Sequence, residues 1–308
     1  MLSQRLMNRD ALLEFPTGPI RVVLDTDAYN EIDDQFAIVY AVLSPERLQL
    51  EAIYAAPFLN PRSTSAADGM EKSFEEIQRL LGFLKAPDRI PTYRGSLAFL
   101  KDVNEPVATP AVVDLIERAR QRALGPLYVM AIGAITNVAS ALLLAPDIID
   151  NVVVVWLGGH SDQWPNNYEF NLLQDRHSVR AVLESGVALW RVPCVPVADH
   201  LMMTTYELEA YLQGKGALAD YLCKIFREYR EHDGAWSKVI WDIAVVAWLL
   251  NPEWVPSVLA PSLTLNQEDP FPWDDSNPGA VVRTATMVDR DVVFTDLFQK
   301  VLEWSQHA

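Results

Sequence analysis

Residues 22–39 read Val22-Val-Leu-Asp-Thr-Asp-Ala-Tyr-Asn-Glu-Ile-Asp-Asp-Gln-Phe-Ala-Ile-Val39. An apolar, β-branched run from Ile20 to Leu24 has the composition of a strand buried on both faces, as in a parallel sheet. It ends in an acidic bend that gathers Asp25, Asp27, Glu31, Asp33 and Asp34. A helical apolar pattern then runs from Gln35 to Leu43 and stops before Pro45. Like charges held this close raise one another's cost of ionisation. The bend is therefore expected to have an electrostatic purpose.

The same strand-then-helix alternation continues outward from this stretch. Strands are expected at Leu50–Ala55, Leu127–Ile132, Val152–Leu157, Ala188–Val195 (interrupted by Pro193) and Val281–Val288. Helices are expected at Gly69–Leu84, Ala111–Ala123, Thr136–Leu144, Ser178–Glu184 and Thr295–Ser305, with a mostly helical stretch from Thr204 to Leu250. Such alternation predicts βαβ units, a mainly parallel central sheet flanked by helices, and one α/β domain over residues 1–308. The stretch after residue 200 is expected to pack over the carboxyl end of the sheet. Asn266–Pro278, rich in Pro and Asp, is expected to be a surface loop, with an active-site lid as the alternative. In open parallel sheets ligands bind beyond the strands' carboxyl ends, which would bring the acidic bend, Ile132-Gly133 and Gly158-Gly159 to one crevice.

Composition narrows the function. Half of the 308 residues are apolar, 21% are charged and the net charge is −16. No basic cluster suits a polyphosphate or an anionic membrane, so neither nucleic acid nor membrane is an expected partner. Two cysteines, Cys194 and Cys223, lack the spacing of a thiolate metal site or a disulfide scaffold. The first residues carry scattered charge and no long apolar run, so a cytoplasmic protein is expected.

Two chemistries suit the acidic bend. Several carboxylates around a divalent cation remove their own repulsion, and calcium takes six to eight hard oxygen ligands. Alternatively, an Asp-x-Asp after a first strand serves magnesium-dependent phosphotransfer. The bland reading is an acidic helix cap with Asp33 as N-cap, which leaves the other four acidic side chains unexplained.

Asp25-Thr-Asp27 followed by Asp33-Asp34 resembles the N-terminal signature of the inosine–uridine preferring nucleoside hydrolases. Three further matches follow in that family's order. Ala131-Ile-Gly-Ala-Ile-Thr-Asn137 is similar to its Gly-Pro-Leu-Thr-Asn segment. Leu157-Gly-Gly159 with Glu169-Phe-Asn171 is similar to its Met-Gly-Gly and Glu-Phe-Asn elements, and Trp241-Asp242 to its His-Asp or Trp-Asp pair. The resemblance spans roughly residues 20 to 255.

It implies a Rossmann-like nucleoside hydrolase fold and hydrolysis of the N-glycosidic bond of a ribonucleoside. It implies a calcium ion held by Asp27, Asp34, Asp242 and the backbone carbonyl of Ile132, with Asp27 also the general base. Trp241 would stack on the leaving base, as in purine-preferring members. Asp33, Glu169 and Asn171 would hold sugar hydroxyls, Asn166 or Asn167 would reach the 5′ end, and Asn60 would lie near the ribose. A homo-oligomer, dimer or tetramer, is implied as well.

The sequence departs from the signature in its turn, which is two residues longer and lacks Pro-Gly. Asn30 and Glu31 therefore point either into the crevice or into solvent, and inward they would alter the sugar pocket. Trp164, Tyr168, Tyr229, Trp236, His232 and His160 are further candidates for the leaving-group side, while Arg62 is expected to be solvated, with an anionic group on the ligand as the alternative partner. The readings that remain are a nucleoside hydrolase, a hydrolase of another glycoside, a magnesium phosphotransferase and a non-catalytic calcium or sugar binder.

Overall fold

The structure is a computed structural model, and it describes residues 9–86, 89–230, 232, 234–266, 268–276 and 278–307. Six strands alternate with helices along the first two thirds of the chain. They are β1 (Ile20–Thr26), β2 (Leu48–Ala55), β3 (Thr92–Arg94), β4 (Leu127–Ala131), β5 (Val152–Leu157) and β6 (Ala188–Val192). All pair in parallel in the order β3-β2-β1-β4-β5-β6. Val281–Ala285 extends the sheet parallel to β6, and Ser257–Pro261 closes that edge antiparallel.

Why the strands read as continuous apolar runs is now visible. Val22 and Leu24 face one helical layer and Val23 the other; Val153, Val155 and Leu157 alternate with Val152, Val154 and Trp156 in the same way. Both faces are covered, so the two-residue period of a strand is masked by apolar residues on each side. The first layer contains α1 (Asp33–Val42) and α2 (Ala66–Phe83), the helices after residue 200 and the last helix. The second contains α3 (Pro110–Ala119), α4 (Thr136–Leu144) and Arg176–Ser185.

Strand order reverses between β2-β1 and β1-β4. That switch point opens a crevice at the carboxyl ends of β1 and β4, where Asp25–Asp34 and Ile132-Gly133 leave the sheet. The helix after β1 begins at Asp33, two residues before the apolar pattern. Ile32 occupies the N-cap position without a side-chain cap bond, so Asp33 is not the N-cap.

The later elements refine some expectations and correct others. The stretch from Thr204 to Leu250 is three helices, Thr205–Leu212, Ala217–Glu228 and Ile243–Leu250, broken at Gly214 and Gly216 and again before Lys238–Val239, which pairs with Met202–Met203. These helices pack on the first sheet face through residues such as Leu208, Leu222 and Val246 instead of capping the carboxyl end. Among the described residues of this stretch, Trp241 and Asp242, at the connection before the third helix, reach the crevice. The strand expected over Ala188–Val195 stops at Val192, at the interruption expected of Pro193, which has no N–H to give the ladder. Within Asn266–Pro278, Trp273–Asp274 pairs with Thr264–Leu265, and Trp273 is buried.

Candidate active site

The crevice at the switch point is a cleft of about 210 Å³. Asp27, Asp33, Asp34 and Asp242 lie at its floor, each 1–4% exposed. Four acidic side chains buried together need an explanation, because each charged carboxylate loses its hydration.

The hydrogen bonds fix the backbone of the bend before they satisfy its charges. Asp25 does not line the cleft. Its Oδ1 accepts from Asn137 Nδ2 at 2.8 Å, and its carbonyl accepts the Ile132 N–H at 2.9 Å, which ties β1 to the end of β4. Asn137 in turn accepts from Ser96 N at 2.8 Å and Ser96 Oγ at 2.9 Å. The Thr26 hydroxyl donates to Asp34 Oδ1. Among the described residues, no N–H or alcohol donor of another residue reaches either Asp27 oxygen, whose neighbours are the Asp33 and Asp34 carboxyls. Its carboxyl lies against Gly133, where a Cβ would come within 2.9 Å of Asp27 Cγ; only glycine leaves that space.

Burial raises all these carboxyls. Asp27 and Asp242 are pushed well above the usual carboxylate range by desolvation, then by neighbouring aspartates. Asp34 is raised to about 8 by burial and then by Asp33. Asp33 reaches only about 6, because the nearby Lys238 ammonium opposes its burial. Carboxyl oxygens of Asp33, Asp34 and Asp242 lie within 4.8 Å of one another. Orphaned Asp27 oxygens beside three clustered carboxyls are hard anionic donors with little else to neutralise them. That donor set fits a divalent cation of the hard, oxygen-preferring kind. The Ile132 carbonyl lines the same cleft and accepts Asn171 Nδ2 at 3.1 Å, leaving one lone pair free.

One wall comes from the loop after β5. Glu169 N-caps the short helix Phe170–Gln174, accepting from Gly159 N at 2.8 Å and from Asn171 N and Leu172 N at 2.9 Å each. Asn171 also donates to the Leu157 carbonyl at 3.1 Å. His160, Tyr168 and Cys194 line this wall. Desolvation, followed by the nearby Glu169 charge, pushes the Cys194 thiol up, so it stays protonated. The other wall carries Asn30, Glu31 and Trp241.

The inserted residues thus turn inward. Asn30 is buried and accepts from Asn60 Nδ2 through its side chain at 2.6 Å and its carbonyl at 3.1 Å. Glu31 accepts the Tyr229 hydroxyl at 3.1 Å and pairs with Lys238. Arg62 is not simply solvated. Its guanidinium lies 4.2 Å over the Tyr29 ring and donates to the Glu31 carbonyl at 2.9 Å.

Of the residues expected from the sequence, Asp27, Asp33, Asp34, Ile132, Glu169, Asn171, Trp241 and Asp242 share the cleft. Asn60, Asn166 and Asn167 are not brought to its wall. Asn60 holds Asn30, Asn166 Oδ1 accepts the Tyr168 N–H at 3.1 Å, and Asn167 is fully engaged with His160 N and the Phe271 carbonyl at 2.8 Å each. Trp164 and Trp236 pack against His160 and Phe226. His232 accepts the Gly234 N–H and lies outside the cleft.

Sequence reasoning missed Lys238, a lone lysine whose meaning depends on a partner 207 residues away. It also misplaced Trp273, whose Nε1 donates to the His160 carbonyl at 2.8 Å and whose ring blocks any side chain at Gly159, a residue with φ of +68°. The wall after β5 is therefore buttressed by the segment read as a loop.

The parallel sheet that carries this buried acidic cleft at its switch point is shared with known hydrolases. The family profile for inosine-uridine preferring nucleoside hydrolase matches residues 22–295. The non-specific ribonucleoside hydrolase RihC of Salmonella agona is 26% identical over 263 residues, covering 77% of this chain and 80% of that protein. Among solved structures, a plant nucleoside hydrolase, PpNRh1, superposes with a TM-score of 0.72 at 19% identity, covering 92% of this chain and 99% of that one. The purine-preferring ribonucleoside hydrolase from Gardnerella vaginalis has the same TM-score at 19% identity, over 94% and 100%. The chain belongs to the inosine-uridine preferring nucleoside hydrolase family and is an enzyme of the N-glycosyl hydrolase class. This sets aside the phosphotransferase and the non-catalytic binder. No helix among the described residues is long and apolar enough to cross a membrane.

Proposed function

We propose that the chain hydrolyses the N-glycosidic bond of purine-type ribonucleosides with a calcium ion in its acidic cleft. The observation that carries this reading is Asp27, a buried carboxylate without a donor at the floor of the cleft, beside Asp33, Asp34 and Asp242.

Asp27, Asp34, Asp242 and the Ile132 carbonyl would hold the ion. When bound, it supplies neutralising charge and a lowered pKa for an adjacent water. Calcium is favoured over magnesium because the donors are all oxygens spread over three chain segments, which suits a large ion of flexible geometry. Asp27 takes the proton as water attacks the anomeric carbon. Positive charge develops on the sugar as the base departs, and the clustered carboxylates stabilise it in place, without reorganisation. Asp33, Glu169 and Asn171 position sugar hydroxyls, and Glu169 and Asn171 are themselves fixed by backbone groups. Trp241 offers an indole face to the departing base. Asn60 and Asn167 act behind the walls, holding Asn30 and the His160 backbone.

The experiment is reducing-sugar release from a nucleoside panel by wild type and Asp27→Ala, each with calcium. Release by the wild type and a loss of about 10²–10⁴-fold in the variant support the reading. Release of no sugar by calcium-loaded wild type overturns it in favour of another glycoside. We also propose a homo-oligomer, supported by the exposed Val258 and Leu259 on the edge strand Ser257–Pro261; light scattering tests it.

A further inference from the structure

The inserted turn gives this chain a charged side chain that the hydrolytic chemistry above does not use. Glu31 lines the cleft, yet its side chain is 32% exposed where the floor carboxyls are 1–4% exposed. A sugar whose anomeric carbon reaches Asp27 fills the floor. Whatever is attached at that carbon must then rise along a wall. One wall offers the half-buried indole of Trp241 with Glu31 close by. They belong to one cluster, since the Trp241 backbone N–H bonds to Asp33 and Asp33 lies by both Lys238 and Glu31. A flat heterocycle needs a ring face and an edge partner, and an indole and a carboxylate lining the same cleft are the two groups that supply them.

The Glu31 carboxylate is held still and has capacity left. The Tyr229 hydroxyl donates to Oε1 at 3.1 Å and the Lys238 ammonium to Oε2. Arg62 fixes the backbone of the same residue through its carbonyl at 2.9 Å, and Asn60 fixes Asn30 beside it. A carboxylate has about four lone-pair positions, of which these donors use two. What remains accepts hydrogen bonds and donates none. A heterocycle bound against Glu31 covers the part of it that now meets water, and a ligand lacking the matching donor then leaves the acceptor unpaired.

We propose that Glu31, braced by Lys238 and Tyr229, is a specificity-determining residue that selects leaving bases presenting an N–H donor on the six-membered ring or its exocyclic amine. This rests on the nucleoside reading above, and two measurements keep the failures of the two apart. The first is kcat/KM for adenosine, inosine and purine riboside, which lacks a donor on its six-membered ring, with wild type, Glu31→Ala and Tyr229→Phe. In Glu31→Ala the adenosine and inosine values fall about 10- to 100-fold, the range of a hydrogen bond to a charged group, while purine riboside changes by less than about threefold. Tyr229→Phe shows the same selective loss, smaller in size. An equal fall for all three substrates in both variants makes Glu31 a purely structural residue and overturns the inference.

The second measurement needs no turnover. Calorimetry on the calcium-loaded protein compares adenine with unsubstituted purine. Wild type binds adenine more tightly, by about tenfold or more, and Glu31→Ala loses the difference. Equal affinities in wild type overturn the inference even if nucleosides are hydrolysed. A preference abolished in Glu31→Ala sustains it even if they are not.

Discussion

Asn137 Nδ2 donates to Asp25 Oδ1 at 2.8 Å, joining the first turn of α4 to the end of β1 beneath the cleft, with both side chains fully buried. The same amide accepts two donors from Ser96. The acidic bend is thus braced from behind by a group that never meets the cleft. Asn137→Ala leaves Asp25 and Ser96 without partners, at about 1–3 kcal/mol for each stranded group. Urea unfolding is expected to show a loss of about 2–5 kcal/mol.

The floor carboxyls make stability depend on pH in an unusual direction. Asp25 at about 7, Asp33 at about 6 and Asp34 at about 8 all lie above the unfolded value of about 3.9. Groups raised on folding favour the folded state fully below the unfolded pKa, and that contribution is lost as pH rises through the folded pKa. Chelator-treated protein should therefore lose thermal stability as pH climbs from about 5 to 8. On the proposed function calcium binds the ionised carboxylates, so its addition should raise Tm more at pH 8 than at pH 5. Differential scanning calorimetry at both pH values checks the sign.

Asp27 is expected to trade stability for chemistry. Asp27→Asn removes a buried charge with no donor, so the metal-free variant should melt above metal-free wild type. Its calcium-induced rise in Tm should shrink, and its turnover should fall by about 10²–10⁴-fold. A variant that melts lower without metal would mean Asp27 is held by something other than the cleft chemistry.

Gly133 tests how tightly the floor is built. A Cβ there would stand 2.9 Å from both Asp27 Cγ and Asp27 Oδ1, so the carboxyl would have to move. Gly133→Ala should lower kcat/KM by more than about tenfold while far-UV circular dichroism stays unchanged.

The segment once read as a surface loop carries a prediction too. Trp273 sits under the His160 carbonyl, with Arg191 stacked 4.6 Å from its ring. Trp273→Ala should cost about 3–5 kcal/mol and loosen the wall that carries Glu169 and Asn171, raising KM for nucleosides more than it lowers kcat.

How much of this the sequence disclosed follows from the range of the interactions. Apolar strands buried on both faces announce themselves locally, so β1, β4 and β5 were legible along with the aspartates that leave β1. That Ile132 lines the cleft was reachable only through the resemblance, because its apolar side chain announces no chemistry of its own. The edge strand Ser257–Pro261 was hidden, since it is bounded by Pro256 and Pro261 and its exposed edge tolerates proline. The pairing of Glu31 with Lys238 spans 207 residues, and no local pattern carries it. Glu169 and Asn171 could be found from their motif. That Asn167, two residues earlier, is spent on His160 and Phe271 is a fact of packing alone.

The most direct test of the central claim is release of free ribose from adenosine and inosine by one preparation taken through chelation and then calcium addition. Turnover should vanish on chelation and return with calcium, in step with one bound ion per chain by elemental analysis. Turnover unaffected by complete removal of the ion would contradict the metal-dependent account of the acidic cleft. So would a calcium-loaded enzyme that releases no ribose from either nucleoside.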